Sequence, residues 1–497
     1  MPIKSFLFYQ YSKWIVKKEA DIQRKAVDIQ NELWRNLIKR NKNTIFGKEH
    51  RFNEINQYAD FKNLIPTRHY EDFISYIDKI KNGETDILQR GKPLYLLMTS
   101  GTTAGTKFIP LSKSGIRHQI NAAMKVLCFH SINIRNADFM SYQMIFIQGS
   151  PELSNEYKVP SGRLSGVVYH HIPTFFQKNK LPTYSTNIIP NWQEKIDKIV
   201  ESTANKDISI IGGIPPWCIQ YFEKLRAKTK KENLKSIFPN LSIYIHGGLD
   251  FRSYKDKIEG LLGNGVHCLQ TFPASEGFFA IQDRLDSDDM LLLLNQGIFY
   301  EFIPSNKIEQ TNETIVSLEN IEVNETYELV VTTDSGLWRY RMGDLVQITS
   351  KFPFRLRVIG RTSQFISAFG EHVIGYEIEK TMEEVSRKLG LKFVDYHVSP
   401  NIESIQYEWR IEWEETPKTP IHEIETNLDQ ALMARNKYYL HLITGGIIQA
   451  CKIITLPSKT FSTLREKTGK EGGQNKVIRL KNETNISFQI DEIATLL

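Results

Sequence analysis

Short apolar runs that alternate with glycine-rich turns and helical stretches fill the middle of this 497-residue chain, between residues 94 and 367. The runs are YLLM, MIFIQ, ISIIGGI, LSIYIHGG and ELVVTT, and residues 192–203 are typical of the helical stretches between them. Strands that alternate with helices pair into a largely parallel sheet, and such sheets bind ligands where their strands end. The pattern therefore predicts an α/β body.

Different patterns flank this middle region. Apolar residues at three- and four-residue spacing predict an amphipathic helix over residues 19–45, followed by a loop-like stretch. After Gly360 the pattern is that of a small α+β domain. Its predicted elements are helices over residues 376–389 and 422–436 and strands over residues 393–399 and 406–413. No low-complexity linker separates the two regions, so the boundary near residue 363 is predicted to be a compact hinge.

Composition and charge narrow the class of protein. The length allows two to four domains, or one large body with a lid, and excludes a small disulfide-stabilised scaffold. The 63 basic and 57 acidic residues give a net charge of +6, which is too mild to indicate nucleic acid or a membrane surface. The four cysteines lie far apart, which predicts free thiols, and no apolar run approaches the roughly 20 residues of a membrane span. With a poor signal peptide as well, we expect a cytoplasmic monomer that binds neither nucleic acid nor membrane.

The turn MTSGTTAGTK, which follows the YLLM run, carries the strongest chemical signal. Ser100, Thr102 and Thr103 offer hydroxyl groups that suit phosphate oxygens. Gly101 lets the backbone approach a ligand, and Lys107 adds positive charge. The residue order differs from the Walker loop, which disfavours P-loop kinases and GTPases, and a plain surface turn of the same composition is the alternative.

Two later segments, FPASEG and WRYRMGD, also follow apolar runs. In the first, Phe272 could stack on a base, Ser275 could hydrogen-bond a phosphate or a carboxylate, and Glu276 could bind Mg²⁺ as a hard oxygen ligand. In the second, Asp344 is placed to accept hydrogen bonds from both hydroxyls of a ribose. The alternatives are a solvated glutamate and an aspartate that caps a turn.

Other catalytic patterns are missing. The chain has no G-x-S-x-G nucleophile elbow, which argues against a serine hydrolase, and neither G-x-G-x-x-G nor H-E-x-x-H occurs. His130, His170 and His171 have no partners at metal-ligand spacing, so they are predicted to be core or surface residues.

In their order and spacing, the motifs resemble those of the adenylate-forming enzymes, the superfamily of acyl-CoA synthetases, peptide-synthetase adenylation domains and luciferases. The order is TSGTTxGxxK, the pair Gly247 and Gly248, the FPASEG turn, Y-R-x-G-D, and Gly360 with Arg361 before the hinge. Within that superfamily the chain looks most like the acyl acid amido synthetases, which include the plant enzymes that conjugate auxin and jasmonate to amino acids. The stretches that carry this second resemblance are residues 43–52, 70–84 and 473–479.

The resemblance implies an α/β protein with a large N-terminal body of parallel or mixed sheets flanked by helices, over residues 1–363, and a small α+β C-terminal lid, over residues 364–497. It implies an ATP- and Mg²⁺-dependent ligase that adenylates a small carboxylic acid and transfers the acyl group to an amine or amino acid. The residues it assigns to the nucleotide are Ser100, Gly101, Thr102, Thr103, Lys107, Gly247, Gly248, Phe272, Ser275, Asp344 and Arg361. Glu276 is assigned to Mg²⁺.

Two residues are assigned catalytic roles by the same resemblance. Lys476 matches the lid lysine that approaches the α-phosphate, with a solvated surface lysine as the alternative, and Ser275 would face the α-phosphate or the acyl group. Gln364 stands where acyl-CoA ligases commonly have aspartate, and His372 lies near a position where plant members have lysine. A hinge only has to absorb backbone rotation, so Gln364 is compatible with domain closure.

Two other functions stay open. An acyl-CoA ligase would resolve the same adenylate with a thiol, and a degenerate nucleotide-binding protein would sense or scaffold without turnover. The acyl pocket is expected between the helix that starts near Ser112 and the strand that reaches His246. Phe129, Tyr169 and Trp217 are candidates for its lining, with core packing as the alternative for each.

Overall fold

The computed structural model describes residues 3–99, 107–248, 251–308, 314–361, 365–366, 373–401, 404–445, 448–467, 479–480 and 485–497. The chain forms two compact units: Met1–Met342 with Val346–Val358, and Gly343–Leu345 with Ile359–Leu497. The domain boundary predicted between residues 363 and 364 stays a prediction.

The α-helices that the structure describes in the first unit all lie within residues 3–262. They are α1 Ile3–Arg24, α2 Ala26–Asn41, α3 Ile45–Glu49, α4 Tyr58–Leu64, α5 Ile74–Lys81, α6 Lys113–Asn133, α7 Leu164–His171, α8 Thr174–Gln177, α9 Tyr184–Asn187, α10 Trp192–Thr203, α11 Pro215–Thr229, α12 Leu234–Ile237 and α13 Lys255–Leu262. The helix predicted over residues 192–203 is confirmed as α10. The single helix predicted over residues 19–45 is wrong, because the segment starts at Ile3 and is interrupted at Lys25.

The strands as far as Arg361 are β1 Tyr95–Thr99, β2 Lys107–Leu111, β3 Gln143–Ile147, β4 Ser161–Gly162, β5 Lys180–Leu181, β6 Ile208–Gly213, β7 Ile243–Gly247, β8 His267–Pro273, β9 Phe278–Ile281, β10 Met290–Leu292, β11 Ile298–Pro304, β12 Val316–Ser317, β13 Thr326–Thr333, β14 Tyr340–Lys351 and β15 Phe354–Arg361. The main sheet has the order β12-β11-β13-β14-β15-β10-β9-β8-β7-β6-β3-β5. The five strands at one end of this order, β5, β3, β6, β7 and β8, are parallel to one another. Antiparallel pairs begin between β8 and β9. The predicted α/β fold with mixed sheets is therefore confirmed.

The YLLM run lies outside this main sheet. It forms β1, which pairs antiparallel with β2 and parallel with β4 in a separate three-stranded sheet. The segment between β1 and β2, which contains the predicted phosphate-binding turn, lies outside the described residues.

The second unit is an α+β domain, as expected. Its elements are α14 Gly375–Leu389, α15 Ile421–Arg435, α16 Lys437–Thr444, α17 Thr460–Lys467, α18 Asn485–Leu496, β16 Phe365–Ile366, β17 Val373–Ile374, β18 Phe393–Asn401, β19 Gln406–Trp413 and β20 Lys452–Leu456. β18, β19 and β20 form a sheet, and α14 and α15 share a buried core with it that includes Met382, Trp409 and Leu428. Among the described residues of the whole chain, no helix is long and apolar enough to cross a membrane.

The stretch after α2 was predicted to be loop-like, and that prediction is wrong because local contacts build three helices there. Thr44 caps α3 by accepting a hydrogen bond from Gly47 N at 3.0 Å. A Cβ atom on Gly47 would lie 2.2 Å from the Asn41 carbonyl oxygen, so only glycine fits. His50 stacks on Phe46, with ring centroids 3.9 Å apart. This part of the amido-synthetase signature therefore builds local structure.

Candidate active site

The carboxyl ends of β6, β7 and β8 lie side by side at one edge of the parallel half of the sheet. β7 ends at Gly247, which pairs with Thr271 of β8. A Cβ atom on Gly247 would lie 2.6 Å from the Thr271 carbonyl oxygen and 3.2 Å from Pro273 Cδ. Gly248 follows with φ = +75°, a conformation that glycine adopts without strain. Gly247 therefore lets the two strand ends lie closer together than a side chain at that position would allow.

The FPASEG segment forms a tight turn beside this edge. Ala274 N donates to the Gly277 carbonyl at 2.8 Å, and Gly277 N donates back to the Ala274 carbonyl at 3.2 Å. Ser275 and Glu276 are thus at the tip of the turn, where both are half-buried. Gln119 of α6 holds the turn by donating from Nε2 to the Ala274 carbonyl at 3.0 Å.

A small cavity lies next to Glu276. Its lining residues are Leu111, Gly115, His118, Gln119, Glu276, Gly277, Phe278, Gln296, Ile298, Thr333, Asp334 and Ser335. His118 Nε2 lies 3.3 Å from Asp334 Oδ2, and the buried Gln296 Oε1 has no hydrogen-bond partner among the described residues. Sequence reasoning missed these polar residues because none belongs to a motif. The only sequence signal near them is the glycine at position 297. Its φ is +70°, and a Cβ atom added there would lie 2.7 Å from Asp334 Oδ2.

The donors at this cavity suit a hard cation. Glu276 and Asp334 offer carboxylate oxygens and Gln296 an amide oxygen, which is the ligand type that Mg²⁺ takes. Across the described ranges, no group of three or more histidine, cysteine, aspartate and glutamate side chains is arranged to hold a metal ion. Mg²⁺ commonly uses one or two carboxylates and completes its shell with substrate phosphates and water, and Glu276 fits that mode.

The other predicted site residues lie on β2, β14 and β15 or outside the described residues. Lys107 is the first residue of β2, and its ammonium lies 5.3 Å from the centre of the Tyr70 ring. Asp344 is buried on β14, directly after Gly343 with φ = +73°, and Arg361 ends β15. The predicted residues that lie outside the described part of the chain are Ser100, Gly101, Thr102, Thr103, Gln364, His372 and Lys476.

Four aromatic residues were predicted to line the adenine site or the acyl pocket, and the structure gives each of them its own surroundings. Phe272 is buried against Phe279, with ring centroids 4.9 Å apart, so its ring faces the core. Phe129 and Trp217 belong to two different buried clusters, which agrees with core packing for both. Tyr169 is half-buried with the Lys180 ammonium over its ring, and burial lowers the pKa of Lys180 to about 7. The structure therefore does not bring the three expected acyl-pocket residues together in one hydrophobic cluster.

His130 is buried, as predicted for a core histidine. Its Nε2 atom lies 2.9 Å from Ser242 Oγ, and its Nδ1 atom is buried with no hydrogen-bond partner among the described residues. Burial, with a smaller contribution from the His267 ring 5.3 Å away, lowers the pKa of His130 to about 3. The imidazole is therefore neutral in the folded protein at pH 7.

This neutral histidine predicts a loss of stability in mild acid. The unfolded chain takes up a proton at His130 below a pKa of about 6.5, whereas the folded chain does so only near 3, so the free energy of unfolding falls as the pH drops below 6.5. Between pH 7 and pH 5 we expect a loss of about 2 kcal/mol from this group. Urea denaturation at both pH values measures the loss. His130→Gln should flatten the dependence and the exposed His422→Gln should not; an unchanged slope in His130→Gln would contradict the assignment.

Two solved structures share the fold of this chain. The solved structure of a 2-hydroxyisobutyryl-CoA ligase in complex with R3-HIB-AMP superposes with a TM-score of 0.59 at 12% identity, covering 95% of this chain and 93% of its own. The solved structure of the GH3.15 acyl acid amido synthetase in complex with 2,4-DB superposes with a TM-score of 0.80 at 16% identity, covering 97% and 96%. The chain therefore shares its overall fold with these two solved enzymes.

Sequence comparison identifies the family. Models of the GH3 family N-terminal, central and C-terminal domains match residues 16–187, 291–361 and 376–485 in that order. The indole-3-acetic acid-amido synthetase GH3.4 of Arabidopsis thaliana is 24% identical over 469 residues, covering 79% of this chain and 77% of the relative. The chain belongs to the GH3 family. The predicted resemblance is confirmed, and with it the enzyme class, acyl acid amido synthetase.

Proposed function

We propose that this protein activates a small carboxylic acid with ATP and joins it to an amine, in the first place an amino acid. The observation that carries the proposal is the ordered match to all three GH3 domains in a chain whose Ser275–Glu276 turn lies beside the Gly247 strand end. Carboxylates are poor acylating agents at neutral pH, so the acid must first be linked to a nucleotide, which then acts as the leaving group. We also propose that it acts in the cytoplasm as a monomer with residues 364–497 as a lid.

The reaction has two balanced steps. In the first, a carboxylate oxygen forms a bond to the α-phosphorus of ATP, and the bond to the bridging oxygen breaks to release pyrophosphate. In the second, the amine nitrogen attacks the activated carbonyl carbon, loses a proton and displaces AMP. Negative charge grows on the phosphate oxygens in the first step, and fixed cations and N–H donors are the main means of stabilising it.

The residues of this chain divide into groups around that chemistry. The phosphates would be bound by Ser100, Gly101, Thr102, Thr103, Lys107 and Arg361. The adenine would lie against the backbone of Gly247 and Gly248 and the segment at Phe272, while the buried Asp344 would accept hydrogen bonds from the ribose. Ser275 and Lys476 would meet the α-phosphate. Glu276 would hold Mg²⁺, which supplies charge neutralisation at the phosphates when it is bound.

A pyrophosphate-release screen tests the proposal. The full chain is incubated with ATP, Mg²⁺ and aryl, indolyl or aliphatic acids, and the products formed with pooled amino acids or with CoA are identified by mass. Acid-dependent pyrophosphate release and an amide product are expected. A thioester without amide would support an acyl-CoA ligase instead, and no release across the panel would support a nucleotide-binding protein without turnover.

Removing the carboxylate charge at the proposed metal position should lower the rate of the first step specifically. We expect Glu276→Gln to reduce acid-dependent pyrophosphate release about 10–100-fold at low Mg²⁺, with partial recovery as Mg²⁺ is raised, because metal affinity falls on this scale when a ligand environment is damaged. Glu223→Gln is the matched control, because Glu223 is exposed and pairs with Lys257 at 3.1 Å. A Glu276→Gln variant with normal release at every Mg²⁺ concentration would remove Glu276 from the site.

A further inference from the structure

The helix α1 exposes five large apolar side chains between Ile3 and Trp14. The exposed fractions are 81% for Ile3, 51% for Phe6, 60% for Leu7, 44% for Tyr11 and 55% for Trp14. At 3.6 residues per turn, Ile3, Leu7 and Trp14 follow one line along the helix, with Phe6 and Tyr11 on either side. Isolated exposed apolar residues need no explanation, but five on one helix face form a contiguous patch of the kind that marks an interaction site.

The opposite face of α1 docks on the rest of the unit through apolar and polar contacts, and Phe8, Tyr9 and Val16 pack against a buried cluster. Ser5, Ser12 and Glu19 are buried. Ser5 Oγ lies 3.2 Å from Ser141 Oγ, and Glu19 forms a buried ion pair with Lys125 at 2.5 Å. The exposed apolar side chains therefore belong to a docked helix, and their exposure is not the result of a helix lacking a place in the fold.

The exposed face of α1 is also basic. Between Ile3 and Lys18 the helix contains four lysines and no acidic residue, and the next acidic residue, Glu19, is buried. Lys13 lies on one side of the apolar line, and Lys18 on the other, with its ammonium 5.2 Å from the centre of the Trp14 ring. Lysine stems lie along apolar surface while their ammonium groups reach outward, so both kinds of contact are available together.

We propose that this outer face of α1, formed by Ile3, Phe6, Leu7, Tyr11, Trp14, Lys13, Lys17 and Lys18, binds the surface of an anionic lipid bilayer. A helix with aromatic and leucine side chains along its centre and lysines at its edges lies in the plane of the interface, with the apolar residues among the acyl chains and the lysines at acidic headgroups. A second copy of the chain is a poorer partner, because a two-fold α1–α1 contact would bring like charges together. The proposal departs from the expectation, drawn from net charge, that the protein binds no membrane.

Vesicle co-sedimentation with the full chain tests this. The probes are vesicles of phosphatidylcholine alone and of phosphatidylcholine with about one third phosphatidylserine. We expect binding at least about tenfold tighter to the acidic vesicles, weakened by added salt because screening reduces the lysine contribution. Leu7→Ser with Trp14→Ser should reduce that binding at least about tenfold.

Phe352→Ser is the matched control. Phe352 is 80% exposed and belongs to the same unit, but it lies between β14 and β15 and is not part of α1. The control should sediment like the unchanged protein, and all three proteins should have the same Tm. The proposal is overturned by equal sedimentation of the double variant and the control, or by no binding to acidic vesicles. It is also overturned if light scattering shows a dimer that the double variant disperses while neither protein binds vesicles.

Discussion

Arg339→Leu is expected to lower the free energy of unfolding by about 3–5 kcal/mol, because it leaves the Glu301 carboxylate buried without its cation. Arg339 and Glu301 are 2% and 1% exposed, and Arg339 Nε donates to Glu301 Oε2 at 2.9 Å. Tyr58 donates its hydroxyl to Glu301 Oε1 at 2.7 Å; burial, with the adjacent carboxylate, raises the pKa of Tyr58 and keeps it protonated. The arginine also donates to the Lys62 carbonyl at 3.1 Å. Because Lys62 is in α4 and Glu301 is in β11, Arg339 links these two elements. Urea denaturation at pH 7 measures the loss.

The chain offers a close control for this substitution. Arg51 has φ = +51° and Arg339 has φ = +47°, so Leu replaces Arg in the same left-handed backbone at both positions. Arg51 pairs with Glu54 at 3.3 Å, with both side chains more than half exposed. Such a pair contributes about 0.2–1 kcal/mol, so Arg51→Leu should be nearly neutral. Equal effects of the two substitutions would show that backbone strain, and not the buried charge, dominates.

The double variant Arg339→Leu with Glu301→Leu tests whether the loss of stability comes from the unpaired buried charge or from the absence of the ion pair itself. Replacing both members of a buried ion pair by apolar residues is often neutral, whereas removing one member leaves an uncompensated charge. We therefore expect the double variant to be more stable than Arg339→Leu alone. Arg339 belongs to the WRYRMGD segment that sequence reasoning assigned to nucleotide binding, and the structure gives this residue of the segment a packing role in the first unit.

Regular local patterns were the part of the fold that could be predicted. Residues 192–203 and 406–413 were predicted as a helix and a strand, and they are α10 and β19 with the same bounds. In α10 the buried residues include Ile196, Ile199 and Val200, at helical spacing, so the sequence pattern and the tertiary burial agree.

The start of the chain could not be predicted in the same way, because its burial does not follow side-chain polarity. In α1 the buried residues include Ser5, Ser12 and Glu19 as well as Ile22, while Leu7 and Trp14 are exposed. A rule that places apolar residues inside misses such a helix. What fixes it is a set of long-range contacts, such as Glu19 to Lys125, that no local window contains.

The candidate site shows the same division between local and long-range information. Glu276 and Asp344 were predicted from short motifs, because each stands directly beside a glycine in a short run of consecutive residues. His118 comes from α6, Gln296 precedes β11 and Asp334 follows β13, and only the folded chain brings them to one cavity. Their roles toward a ligand depend on side-chain geometry that spacing in the sequence does not encode.

Gly247→Ala is expected to reduce acid-dependent pyrophosphate release about a hundredfold and to cost about 1–3 kcal/mol of stability. The new Cβ atom would lie 2.6 Å from the Thr271 carbonyl oxygen and 2.8 Å from its Oγ1 atom. The carbonyl belongs to β8, so no side-chain rotation relieves the contact and the two strand ends must separate. Thr271 Oγ1 also donates to the His246 carbonyl at 2.9 Å, and that bond would be strained. Because the Ser275–Glu276 turn begins just after β8, a shift there displaces the groups proposed to meet the α-phosphate and Mg²⁺.

Gly260→Ala is the matched control for this last prediction. Gly260 lies in α13 with nothing within 4 Å of an added Cβ, so alanine should be tolerated and should stabilise the helix by up to about 1 kcal/mol. Thermal denaturation gives the Tm of both variants, and pyrophosphate release at saturating ATP gives their activity. If Gly247→Ala keeps the normal rate while its Tm falls, the tight approach of β7 to β8 serves stability alone. If the rate falls about a hundredfold in a variant that is still folded at the assay temperature, the close approach at Gly247 serves the nucleotide site.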